Sequence, residues 1–153
     1  MSGATVMLVF IQNEAGSNQK NYHDEKTLEW RSVATVSRKY PFPYGFVVGT
    51  DSADGCNLDC FVITRRELKS GQLVDCRPVG LMEQFEDGQN DHNVLAMLTD
   101  EDICVDRDIE LELTEFVNHV FEHVEGKRIR VGRFLGESAA TAHIEAYRER
   151  RFG

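Results

Sequence analysis

Positive charge is scarce in this sequence. Its 17 lysines and arginines stand against 26 aspartates and glutamates, a formal net charge of −9. Such a chain repels nucleic acid and anionic lipid, so neither is expected as a main partner. An anionic substrate would need metal ions or a local basic cluster to reverse the field. Long apolar runs are missing too. The run "VMLVFI" near the start is far short of a membrane span and has no basic flank of the secretory kind. Proline is rare, with three residues, two of them inside "YPFPY". Four cysteines (Cys56, Cys60, Cys76 and Cys104) without a secretory signal read as reduced thiols in a cytoplasm, and their spacing matches no zinc pattern. No repeat, linker or low-complexity segment divides the chain. One domain over 1–153 is expected, long enough to bury a core.

What is present changes character along the chain. "TVMLVFI", "LEWRSVATVS", "GFVVGT", "LDCFVIT", "QLVDCRPVG" and "NVLAMLT" read as strands, the second as a half-buried one, with turn signals in "DSADG", "ELKSGQ" and "EDGQND". From Ile109 the period changes. Leu113, Phe116, Val117, Val120, Phe121 and Val124 form a helical stripe, with Asp108 as the expected N-cap and Gly126 as the expected C′ residue. "KRIRVGRF" reads as a short strand and "ESAATAHIEAYRERR" as a terminal helix. The expected fold is mainly β with flanking α: a small closed β-barrel with two helices in the C-terminal region.

Three stretches can carry chemistry. "KYPFPYGF" presents Tyr40 and Tyr44 around two prolines that hold the backbone extended. "DGCNLDC" places Asp54 and Asp59 around a glycine turn, with Cys56 between them. "QFEDGQND" offers Glu86, Asp87 and Asp91 around Gly88. Each alone also reads plainly, as a rigid strand entry, a solvated turn and a charged hairpin. Their conjunction at strand ends points to a cation cradle.

Taken in order, "GSNQKNYHD", "YPFPYGF", "DGCNLD", "RPVG", "EDGQND" and "FEHVEGKRIRV" resemble the soluble family I inorganic pyrophosphatases, from about Val9 to the terminal helix. The resemblance implies an OB-like five-stranded barrel and Mg²⁺-dependent hydrolysis of pyrophosphate. It implies metal ligation by Asp54, Asp59, Glu86 and Asp91. Phosphate binding would fall to Lys20, Arg31, Tyr40 and Tyr44, and catalytic roles to Asp59, Tyr44 and Lys20. Arg31 lies one residue farther from Tyr40 than the pattern has it, which a strand bulge would absorb. A homo-oligomer is implied as well, a hexamer by analogy, with the helix carrying His119 and His123 as the obvious interface.

Six positions depart from that pattern. Cys56 replaces the central aspartate of the metal loop, and Asn93 replaces a lysine after the second acidic loop. Gln12 and Tyr22 replace glutamates. Val124 and Glu125 stand where a Tyr-Lys pair grips phosphate, and there Val124 fits the apolar stripe. A thiol is a poor partner for Mg²⁺, so Mn²⁺ or Zn²⁺ enter as alternatives, with His92 as a further ligand. A divergent pyrophosphatase of weakened or altered activity is expected. The alternatives are a non-catalytic homologue serving as a binding or oligomer subunit, and a hydrolase of an organic diphosphate.

Overall fold

The computed structural model describes residues 6–51 and 56–148. Asp54 therefore lies outside the described residues. The elements run β1 (Met7–Asn13), β2 (Gln19–His23), β3 (Trp30–Thr35), β4 (Tyr44–Val47), β5 (Asp59–Val62) and β6 (Leu73–Glu86). Then follow β7 (Gln89–Asn90), β8 (Asn93–Leu98), α1 (Arg107–His119), β9 (Ile129–Leu135) and α2 (Glu137–Ala146).

Five strands in the order β1-β4-β5-β8-β6 close on themselves when β6 returns to pair with β1. The expected five-stranded barrel is thus present. Closure leaves the barrel no free strand edge. Only β5 and β8 pair in parallel within it. Gly45 makes the β1–β4 contact possible. A Cβ added there would lie 1.7 Å from the Phe10 carbonyl oxygen, so no side chain fits between these strands.

Strand alternation divides the apolar residues into two clusters. Val9, Val47, Cys60, Val62, Cys76, Val94 and Ala96 come from all five barrel strands and meet Ala140 and Ile144 of α2. This is the barrel interior. Phe61, Ile63, Met82 and Leu95 point the other way and pack under Leu113, Phe116, Val117 and Val120. This is the outer wall that α1 covers. Counting back by twos, Asp59 shares the side of Phe61, and Asn93 the side of Leu95. The chain order of β5 and β8 therefore sets these two polar side chains beside α1.

Some elements differ from expectation, each for a physical reason. Asp106, not Asp108, caps α1, its carboxylate accepting from the Ile109 amide at 2.9 Å. Asp108 sits in the first turn, where it favours the helix dipole. The helix ends at His119, so its stripe stops short of Val124, which lies in the following turn and is 41% exposed. Gly126, at φ +81°, belongs to that turn and not to the helix cap. Strand β3 is exposed throughout, because it pairs with β2 in a separate two-stranded ribbon and no layer covers it. Strand β2, "QKNYH", has no apolar alternation to reveal it.

Strand β6 runs well past "RPVG". Irregularities at Pro78–Gly80 and Met82–Gln84 let it change neighbours from β8 to β9. It then turns through Asp87 and Gly88, at φ +51° and +84°, the two left-handed positions of a tight type I′ hairpin.

Candidate active site

The aromatic stretch acts as the frame. The Pro43 carbonyl accepts from the Val62 amide at 2.9 Å, tying the stretch to β5. The Tyr40 backbone donates to the Ser17 carbonyl and accepts from the Gly16 amide, at 2.9 and 2.8 Å, tying it to the loop before β2. The Tyr40 ring packs on Phe116 and Tyr44, at centroid distances of 4.6 and 5.5 Å. Tyr44 in turn packs on Phe61 at 4.9 Å, and its hydroxyl hydrogen-bonds to Asp59. One rigid stack thus fixes Asp59 on β5 relative to Lys20 on β2.

Electrostatics show what converges there. Burial first, and then the charge of Asp91, push the Asp59 carboxyl up to about 7, while Lys20 opposes the shift. Burial lowers the Lys20 ammonium. The fields of Asp59, Lys127, Asp91 and Glu86 all reach it as well. Coulombic coupling falls off with distance, so these five charges share one neighbourhood. The Lys20 Nζ lies 5.2, 5.4 and 5.9 Å from the ring centres of Tyr22, Tyr44 and Phe121. Burial raises the Tyr44 hydroxyl well above its ordinary range, with Asp59 adding to it, so Tyr44 stays a proton donor.

The second acidic loop completes the floor. Gln84 donates its amide N–H to Asp91 at 3.3 Å and accepts from Asn93 at 2.8 Å. Glu86 pairs with Lys127 at 2.7 Å. Together Lys20, Tyr40, Tyr44, Asn93, Gln84 and the apolar side of α1 line a small cleft open to solvent.

Other expected site residues are placed elsewhere. Tyr22 pairs with Ser32 and His23 with Trp30, so Arg31 is the extra residue of a bulge, as its spacing anticipates. Its guanidinium, largely exposed, is engaged by Asp24 at 3.0 Å, outside the Lys20 cluster. His92 points away from the carboxylates. Its Nδ1 accepts from the Gln84 amide at 3.0 Å, and its ring packs against Phe85 and His143. His119 pairs with Glu115 and Glu122, and His123 hydrogen-bonds to Ser37. Cys56 is exposed, and Gln12 is buried at the β1–β2 junction, where its amide reaches the Asn21 carbonyl.

The donors suit a hard divalent cation. Burial, and after it the opposing charge of Asp91, hold the Asp59 carboxyl above its usual range, and a bound cation would relieve both. Among the described residues no group of three or more His, Cys, Asp or Glu side chains is arranged to hold a metal ion. Two carboxylates with water and substrate phosphate nevertheless suffice for Mg²⁺, which seldom takes an all-protein cage.

Comparison with known proteins decides the kinship. The sequence profile of the inorganic pyrophosphatase family matches residues 9–151. The chain belongs to that family. The Sulfolobus acidocaldarius protein named inorganic pyrophosphatase is 30% identical over 149 residues, covering 92% of this chain and 85% of that protein. Its Nanoarchaeum equitans counterpart is 28% identical over 150 residues, covering 92% and 94%. The crystal structure of inorganic pyrophosphatase from Thermus thermophilus has the same fold, with a TM-score of 0.85 at 24% identity over 96% of this chain and 91% of that one.

Lys127 and Gln84 also converge on this neighbourhood, and the sequence reading did not single them out. Val124 and Glu125 are both exposed, so neither reaches the cavity. The turn that holds Gly126 instead brings the Lys127 ammonium 4.1 Å from the Phe121 ring centre and onto Glu86. The available signal for Lys127 was its place in "FEHVEGKRIRV", two residues past Glu125.

Proposed function

We propose that this chain hydrolyses inorganic pyrophosphate to two orthophosphates with a divalent cation held by Asp59 and Asp91, as a divergent member with weakened turnover. Asp54 and Glu86 are the further candidate ligands. The observation that carries the reading is Asp59, coupled to Asp91 on a separate strand end and facing Lys20. A bound cation would neutralise the dense anion and acidify a water. The remaining work falls to the chain's own groups. Lys20 and Lys127 hold phosphate oxygens by charge. Tyr44, kept protonated, donates its one hydroxyl proton to Asp59 and so orients that carboxylate. Asp59, held in place by Tyr44, takes a proton from the attacking water. The Tyr40 ring and the α1 wall keep bulk water from that side. Arg31 can join as a phosphate ligand only by leaving Asp24.

Oxygen donors favour Mg²⁺ or Mn²⁺ over Zn²⁺, and the exposed Cys56 thiol is the one soft exception. Kinship further supports a homo-oligomer, a hexamer by analogy, and a cytoplasmic setting. No helix among the described residues is long and apolar enough to cross a membrane.

The deciding experiment is phosphate release from pyrophosphate with Mg²⁺, Mn²⁺ and Zn²⁺ in parallel. Release is expected with Mg²⁺ or Mn²⁺ and none in chelator. Silence with all three metals would replace this reading with the non-catalytic homologue. Lys127 supplies a second check. Lys127→Met should lower kcat/KM for pyrophosphate by roughly tenfold, the loss of one charge-stabilising group. Glu125→Gln, in the exposed turn, should leave it within about twofold, because surface charges act weakly. Equal effects from the two substitutions would remove Lys127 from the site.

A further inference from the structure

The β2–β3 ribbon carries Lys20 but is no part of the barrel sheet, so no strand ladder of the barrel holds it. Polar joints dock it at both ends. At its base the Asn21 amide donates to the buried Asn13 Oδ1 at 2.7 Å, and the Asn21 Nδ2 donates to the Gln12 carbonyl at 2.9 Å. Asn21 follows Lys20, so this joint holds the lysine against β1. At the far end the partner is the loop that leads into Asp59. The Glu25 Oε1 accepts from the Asn57 amide at 2.8 Å, and the Glu25 carbonyl accepts from the Asn57 Nδ2 at 3.3 Å.

The turn that presents Glu25 is braced. The Asp24 Oδ1 accepts from the amides of Lys26 and Thr27 at 2.9 and 3.0 Å, and its Oδ2 accepts from Arg31 at 3.0 Å. These donors, the Thr27 amide first, hold the Asp24 carboxyl down at about 2. Leu28 in the same turn has φ +66°, a left-handed conformation that persists in a residue with a Cβ only where its surroundings enforce it. The receiving loop is tied down as well. The Asn57 Oδ1 accepts from the Thr50 amide at 3.2 Å, while the Thr50 Oγ1 accepts from the Leu58 amide at 2.9 Å and donates to the Val47 carbonyl at 2.7 Å. Asp59 comes two residues after Asn57, as the first residue of β5.

We propose that Glu25 is a positioning residue of the cation site: through Asn57 it locks the ribbon that carries Lys20 to the loop that delivers Asp59, and so fixes the two sides of the pocket against each other. The inference rests on the cation reading above and adds to it a residue from outside the acidic loops. Glu25 acts through Asn57, whose amide takes its Oε1. The charge of Glu25 is felt at Asp59, which places the joint near the pocket. Groups that hold metal ligands in place from behind typically change metal affinity by about 10–100-fold when removed. The pairing of Arg31 with Asp24 gains a use here, since it braces the turn that carries Glu25.

The test is Mn²⁺ binding to the full chain without substrate, read from the electron paramagnetic resonance signal of free Mn²⁺. The relevant site is the one that Asp59→Asn removes. Glu25→Ala should weaken it about tenfold. Glu25→Gln keeps an acceptor for the Asn57 amide and should stay within about threefold of the parent. Glu29→Ala removes an exposed carboxylate from the same turn and should stay within about twofold. Parent-like affinity in Glu25→Ala, with or without a lower melting temperature, would make Glu25 a stabilising contact only; it would overturn this inference and leave the hydrolase reading standing. Equal weakening by Ala and Gln would mean that charge alone acts, and would also overturn it. A parent with no Mn²⁺ site that depends on Asp59 would overturn both readings. Amide exchange in the unaltered, metal-free protein keeps the question decidable if Glu25→Ala does not fold. The Asn57 amide should exchange at least about tenfold more slowly than a free-chain amide. Exchange at the free-chain rate would mean that the joint does not hold, and would overturn the proposal.

Discussion

Asp59→Asn should inactivate the protein and at the same time stabilise its metal-free form. The two effects share a cause. In the folded chain the Asp59 carboxyl titrates near 7 instead of 3.8, because burial and Asp91 both disfavour its charge. Folding therefore favours the protonated carboxyl. Below about pH 4 the group is neutral in both folded and unfolded chains, and nothing is lost. Between about 4 and 7 the unfolded chain ionises while the folded chain resists, so stability falls as pH rises. Above 7 the full penalty stands, roughly 1–3 kcal/mol after allowance for the coupled partner. Asparagine carries no charge and escapes this penalty. Metal-free Asp59→Asn should thus melt ~3–10 °C higher than the parent at pH 8 and about equally at pH 4. Phosphate release should fall by roughly 10²–10³, the loss expected for a preorganised charged group at the reacting centre. Thermal melts at the two pH values, read beside turnover, check both halves. A variant less stable at pH 8 would mean that Asp59 serves mainly as the acceptor for Tyr44.

The second large effect is a gain. Cys56→Asp with Asn93→Lys should raise Mg²⁺-dependent hydrolysis of pyrophosphate by about tenfold or more. At position 93 the reason is geometric. The present side chain is buried beside Gln84 and carries no charge. A lysine would place a cation among Asp59 and Asp91, where two carboxylates offset its burial, and would face an anion with donors. At position 56 a hard ligand would replace a soft one. The gain need not be the product of two single gains, because groups around one substrate act as a unit. Steady-state kinetics on both singles and the double reads it directly. No gain in the double would mean that the cradle has drifted beyond what two side chains can restore.

The barrel was legible because its strands carry strong β-branched or apolar patterns. "TVMLVFI", "LDCFVIT" and "NVLAMLT" each became a barrel strand with a buried face. Where tertiary placement overrides pattern, reading failed. The stretch "LEWRSVATVS" alternates as a half-buried strand does, yet nothing in the fold covers β3. Val124 continues a helical stripe that the chain abandons, because the helix stops at His119.

The site was legible in kind. Tyr44, Asp59, Lys20, Asp91 and Glu86 do share one neighbourhood. Arg31 was foreseen at a bulge but not in its pairing with Asp24, which depends on the path of a hairpin that the sequence pattern does not mark. Lys127 and Gln84 lie within the quoted stretches "FEHVEGKRIRV" and "QFEDGQND", but neither pattern marks them as converging on Lys20 and Asp91. One arrives from a turn, and the other is a polar residue inside a long strand whose register only the barrel defines.

The central claim is that carboxylates from two separate strand ends form one cation pocket. Crystals soaked in Mn²⁺ and measured for anomalous scattering test it most directly. An anomalous peak is expected within ligand distance of both Asp59 and Asp91, on the Lys20 side of the α1 wall. Manganese found only at other surface carboxylates, or Asp59 and Asp91 turned to opposite faces of the barrel, would contradict it.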